Sequence, residues 1–246
     1  MTPIHSLMLN IVFITLGGFF HLAEYLYPDH MINHRHEFKK DILAFVLLSM
    51  SGILISTPLI NYYRSLDMSF LSALHNLNSF TKVILATLIT DFLNYWIHYY
   101  MHKKAWYWKA HVHHHRVENL YWFSGLRASF GHYVSFILSR VTVGILLFNL
   151  SSGELFVYLS IGLFTNFYQH TNARIGHRYV EWILVTPRVH RLHHASNGSR
   201  MKNIATIFSF WDRVFGTYLD PETYPLNYEL GVKTEKKSEW REIIGL

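Results

Sequence analysis

The chain has 246 residues, a formal net charge of +6 and a hydrophobic fraction of 50%, with only 15% Asp, Glu, Lys or Arg; soluble domains carry roughly 25%, so an ordinary soluble globule is excluded. The absence of cysteine excludes disulfides and Cys-ligated zinc or iron–sulfur centres. The Lys and Arg are scattered among apolar segments and form no polar stripe, which argues for a membrane and against nucleic acid.

A membrane-spanning helix needs about 20 apolar residues. The first such run covers residues 7–27 and stops at Pro28 and Asp29. It reads as a retained helix, because no basic region precedes it and no small-residue cleavage site follows. The second covers residues 42–60 and is preceded by a basic loop holding Arg35, Lys39 and Lys40. Residues 65–80 are mixed and suit the membrane interface. The third span covers residues 81–101 and is followed by a polar, histidine-rich stretch to Arg127. Residues 132–150 and 154–168 form an apolar hairpin about Ser151, Ser152 and Gly153, and from Thr171 the chain is polar enough to form a cap. The expected fold is therefore an all-α integral membrane protein, one domain over residues 1–246. It has four to five transmembrane or embedded helices and a cytoplasmic, histidine-rich cap. Placing the basic loops inside puts the N-terminus outside and brings the ends of the third and last helices to one cytoplasmic side.

Three histidine clusters stand out among 18 histidines: His98-x-x-x-His102, His111-x-x-His114-His115 and His190-x-x-His193-His194. Residues three and four apart share a helix face, so the outer members of each box aim at one point and the middle member of H-x-x-H-H reaches a neighbouring one. Asn166-x-x-x-His170 closes the last apolar run, and topology returns it to the same side. These groups are the expected metal ligands, since imidazole suits iron, zinc, copper and nickel. His5, His21, His30, His34, His36, His75, His113, His132 and His177 are assigned structural roles.

At these boxes the chain resembles the fatty acid hydroxylase/sterol desaturase superfamily, with a core at about residues 81–220. Asp91-Phe92-x-x-Tyr95-Trp96-x-His98 is similar to that family's first box, Thr186-Pro187-Arg188-Val189-His190-Arg191-Leu192-His193-His194 to its T-P-x-x-H-R-x-H-H element, and Trp211-Asp212-Arg213-x-Phe215-Gly216-Thr217-Tyr218 to its closing segment. The resemblance implies two iron ions, O₂ as co-substrate and oxidation of a fatty acyl, sterol or related lipid by hydroxylation, with desaturation as the alternative. It also implies a separate electron donor, such as a cytochrome b5-like protein, ferredoxin or reductase. The membrane implied is a bacterial inner membrane or the endoplasmic reticulum, with the active site on the cytoplasmic side. Asn166 is included because an N-x-x-x-H element in membrane acyl desaturases acts through a water. Two departures, Arg127-Ala128-Ser129-Phe130 after the second box and Asn203-Ile204-Ala205 after the third, bear on the substrate more than on the chemistry.

Asp91 and Asn94 share the His98 face and are candidate hydrogen-bond partners for ligand histidines, or else helix–helix contacts. Arg140, a cation within a span, needs a partner, and Asp91 lies at similar depth. Glu24, near the cytoplasmic end of the first span, is placed either to face the site or, as preferred, to act as an interfacial carboxylate, and Trp106, Tyr107, Trp108, Tyr121 and Trp122 read as interfacial aromatics in preference to substrate-stacking residues. The rival classes are a non-redox membrane metal-binding or transport protein, which would place its histidines at the midplane, and a zinc hydrolase, which would need a carboxylate beside the ligands.

Overall fold

The computed structural model describes residues 3–32, 38–196, 200–224, 228–232 and 239–245; Arg35, His34 and His36 lie outside them. Among the described residues the protein is all-α, with no strand and three isolated β-bridges. In chain order the helices are α1 (Pro3–Leu26), α2 (Phe38–Ser51), α3 (Thr57–Ser65), α4 (Ser72–His75), α5 (Ser79–Lys103), α6 (Ala105–His115), α7 (Phe130–Val141), α8 (Ser152–His170), α9 (Pro187–His193), α10 (Phe210–Val214) and α11 (Glu239–Ile244).

Among the described residues, three helical stretches are long and apolar enough to cross a bilayer: Ile4–Leu26, Phe38–Ser65 and Phe130–Leu147. The second is α2 and α3 joined by a π-helical turn, Gly52–Ser56. Pro58 has no N–H to offer the preceding turn, and the wide turn before it lets the helix continue past that loss. A second π-helical segment, Thr142–Leu147, ends α7. Asn149 then takes a positive φ of 45°, a conformation Asn tolerates. Ser151 starts α8 with a reciprocal cap: its hydroxyl accepts from Glu154 N–H, and the Glu154 carboxylate accepts from Ser151 N–H. Lys82 completes that turn with a 2.8 Å ion pair to Glu154.

Helices α5 and α8 turn polar residues into the bundle, among them the buried Thr90, Asp91, Asn94, Glu154, Gln169 and His170. Much of the outward apolar surface is on α1–α3, where Ile4, Leu7, Ile14, Phe19, Leu22, Ile53 and Leu54 are exposed, and the rest includes Ile84 on α5, Leu138 on α7 and Val157 on α8. Helices in lipid gain little from excluding water and associate by close packing. Gly17 shows this: a Cβ there would lie 2.7 Å from the Trp122 ring, which packs at 4.8 Å on Phe167.

Two buried carboxylates fasten the loops to this bundle. Asp41 on α2 pairs with Arg127 at 2.6 Å and accepts from Tyr121 Oη at 2.6 Å. Glu24 is also buried, not interfacial as its position suggested. Its Oε1 accepts from Trp122 N–H, Thr171 Oγ1 and Asn172 N–H, tying α1 to the segments after α6 and α8. Of the five aromatics expected at the interface, Trp106 is exposed, whereas Tyr121 and Trp122 are used in packing.

Candidate metal centre

The first two histidine boxes lie at the C-terminal end of α5 and along α6, and Lys104 in extended conformation turns one helix back onto the other. The third box is on α9, where Pro187 at the first turn fixes the entry. His170 is the last residue of α8. These four elements converge on nine buried imidazoles in two adjacent groups. One holds His98, His102, His111, His115 and His193; the other holds His114, His170, His190 and His194. Within each H-x-x-H-H box the first and last histidines share a group and the middle one joins the other, as the i, i+4 relation dictates. The groups touch: the rings of His115 and His194 stack with centroids 4.4 Å apart.

The ring nitrogens are sorted by their outward partners. His98 Nδ1 meets the Ile204 carbonyl at 2.6 Å, His193 Nδ1 that of Lys202 at 2.8 Å, His114 Nδ1 that of Arg127 at 2.7 Å, and His170 Nδ1 that of Asn166 at 2.8 Å. A carbonyl only accepts, so each of these Nδ1 atoms carries the proton and Nε2 presents a lone pair. Those Nε2 atoms face inward, 2.8–3.1 Å apart in the five-histidine group and 3.0–3.3 Å apart in the four-histidine group. Facing lone pairs repel unless a cation lies between them. Two nitrogens about 2.1 Å from one ion are separated by such distances at angles of roughly 85–105°, so the donor set fits a metal ion in each group. No carboxylate belongs to either group among the described residues.

Burial also holds the cap histidines neutral. Desolvation pushes His114 and His193 down to about 4, and His111, His115, His190 and His194 well below the ordinary imidazole value. They are ready to ligate at neutral pH without first losing a proton.

The polypeptide that supplies the outward carbonyls is itself pinned. Asp212 accepts from Ile204 N–H at 2.7 Å, from Ala205 N–H and from Thr217 Oγ1. Asn203, at a φ of 54°, donates from its amide to the Val189 and Leu219 carbonyls. Asp91 accepts from Thr206 Oγ1, Ile207 N–H, Phe208 N–H and Trp211 Nε1. It therefore touches neither a clustered histidine nor Arg140, because the returning cap segment takes all its capacity. Asn94 likewise accepts from Ser139 Oγ at 2.6 Å, a helix–helix contact. Asn166 donates to the Gly125 carbonyl at 3.3 Å while its Oδ1 is buried without a partner. Gly125 is required here: a Cβ would lie 2.6 Å from the His170 ring and 2.9 Å from Asn166 Oδ1.

His132, assigned a structural role from sequence, bears on the centre. Its Nδ1 lies 2.8 Å from His111 Nδ1, behind the ring that faces the five-histidine group. Its place in the first turn of α7, at the box side of the hairpin, was the available signal. His113 is buried but belongs to neither group.

A cavity of about 340 Å³ opens from the centre into the bundle. His98, His111, His114, His170 and His190 line one end; Phe13, Phe45, Ile137, Leu159 and Leu163 line its apolar length, together with Arg140.

A family model described as fatty acid hydroxylase matches residues 83–217. The chain is 32% identical over 147 residues to alkylglycerol monooxygenase from Xenopus tropicalis, covering 59% of this chain and 32% of that protein. It is 24% identical over 258 residues to the ornithine lipid hydroxylase OlsE of Rhizobium tropici, covering 94% and 72%. Sphingolipid C4-hydroxylase sur2 of Schizosaccharomyces pombe is 27% identical over 158 residues, covering 62% and 53%. The chain thus spans about a third of the length of the alkylglycerol monooxygenases it matches. No solved structure matches.

Proposed function

This chain belongs to the fatty acid hydroxylase family, and from that premise we propose that it is a membrane-bound di-iron enzyme that hydroxylates a lipid. The observation that carries the reading is two adjacent all-histidine groups at the end of an apolar cavity. Five inward nitrogens in one group exceed what tetrahedral zinc takes, and a redox-active ion of higher coordination number suits them better. A hydrolase would want a general-base carboxylate, and both groups consist of histidine alone. A transport site at the midplane fits poorly, because the histidines sit at helix ends and in the cap. The similar proteins carry names of monooxygenases and hydroxylases of alkylglycerol, ornithine lipid and sphingolipid, which favours hydroxylation over desaturation.

His98, His102, His111, His115 and His193 would hold one iron, and His114, His170, His190 and His194 the other. Bound there, the pair would supply O₂ activation, in which O₂ takes two electrons from the donor and two from the C–H bond, balancing as RH + O₂ + 2e⁻ + 2H⁺ → ROH + H₂O. The protein contributes the rest. Its carbonyls fix the imidazole tautomers. Its apolar wall excludes water and lays the lipid chain against the centre. In this reading electrons come from a separate donor protein on the side where the cap lies, and the basic loops support a cytoplasmic side.

Lipid analysis of a host with and without this chain, grown under ¹⁸O₂, tests the reading. One lipid class should gain a single labelled oxygen that depends on His193 and His194. Loss of two hydrogens with no oxygen gained would identify a desaturase, and an unchanged lipid profile would contradict lipid oxidation.

A further inference from the structure

Arg140 lies eight residues beyond His132 on α7, about 12 Å along the helix from the level of the metal centre. Its side chain borders the cavity whose other end is the histidine cage. Asp91, the partner suggested by depth, is fully engaged by the cap. No carboxylate among the described residues pairs with Arg140, and its backbone carbonyl alone takes a hydrogen bond, from Tyr158 Oη. A guanidinium is a fixed cation with a planar fork of donors, and an uncompensated one within a span is costly. Space has nevertheless been made for it. Gly162 on α8 lies against the guanidinium, and a Cβ there would stand 3.4 Å from Nη2 and 3.6 Å from Cζ.

We propose that Arg140 is the polar-group subsite of the cavity, receiving the oxyanion of a single-chain acidic lipid whose hydrocarbon reaches the histidine centre. The fork matches two oxygens of a carboxylate or a phosphate. Phe13, Phe45, Leu159 and Leu163 then sheathe the chain between the two ends. Asn10, exposed on α1, lines the same cavity, so the chamber meets the lipid-facing side of the bundle. The anchored oxyanion sets which carbon lies beside the histidines, so Arg140 governs regiochemistry without touching the reacting atoms. This proposal rests on reading the cavity as the lipid chamber. Its test uses metal-free protein, so its failure leaves the metal-centre reading standing.

Calorimetric titration of the purified full chain, metal-free in zwitterionic nanodiscs, with dodecanoate, dodecyl phosphate and dodecanol decides the matter. At least one of the two acids should bind roughly tenfold more tightly than the alcohol, the size of one charge-assisted hydrogen bond, and the preferred acid identifies the group. The preference should vanish in Arg140→Gln, with dodecanol affinity unchanged, and persist in Arg140→Lys. Equal binding of acids and alcohol by the wild type, or an acid preference kept by Arg140→Gln, overturns the proposal. The wild-type comparison stands by itself if the Gln variant does not fold.

Discussion

His132 has no spaced histidine partner, and nothing in its neighbours marks it, yet its ring backs His111 at 2.8 Å. Removing such a partner typically weakens a metal site 10–100-fold. His132→Leu should therefore lower metal affinity by about that factor while leaving the melting temperature of the metal-free protein nearly unchanged. Metal titration and thermal scans of one preparation measure both; unchanged affinity would reduce His132 to a packing residue. Eight of the nine clustered histidines were legible because helical periodicity brings members of a box together, and His170 because topology returns the end of the last apolar run to the same side. The groups that orient them were not. Lys202, Ile204, Arg127 and Asn166 act through main-chain carbonyls, and a carbonyl has no sequence signature. Asp91 and Asn94 were read from their shared face with His98, but sharing a face does not fix a partner. The cap segment and Ser139 reach them first.

At the scale of elements, the segment between α6 and α7 carries Arg127, whose carbonyl orients His114 and whose guanidinium pairs with Asp41 on α2. The pair is nearly inaccessible, with side-chain exposures of 2% and 0%. Breaking a buried ion pair at one end leaves an uncompensated charge and costs about 3–5 kcal/mol. Asp41→Asn should destabilise the protein on that scale, read by denaturation in detergent, and loosen the four-histidine group through His114. A loss below about 1 kcal/mol would mean that the contact behaves like an exposed ion pair. Sequence could not reveal this link, because Asp41 opens an apolar run and looks like an ordinary interfacial acid. The spans themselves were plain in outline. The turns that continue or end them, at Gly52–Ser56 and Thr142–Leu147, were not, since π-helical segments depend on local packing.

Across the whole molecule, α1–α3 present apolar side chains outward while α5 and α8 carry their polar residues inward to the centre. Composition announced a membrane protein, but only the assembled fold shows that the cap, fastened by Asp91 and Asp212, completes the cage begun on α5 and α6. That cage is full of neutral imidazoles, which sets the response to acid. His114 and His193 are held down to about 4, against about 6.5 in an unfolded chain. Between those values the unfolded state binds more protons, so stability falls as pH drops from about 6.5 toward 4. Each of these two groups withdraws on the order of 3 kcal/mol across the window. Thermal scans of metal-free protein should show this decline, and a flat profile from pH 7 to about 4.5 would contradict the burial of neutral rings.

Metal analysis of the wild-type chain, purified from iron-replete cells without added metal, addresses the centre itself. Two adjacent histidine groups predict about two irons per chain and little zinc. One zinc per chain, or no retained metal at neutral pH, would contradict a paired redox centre.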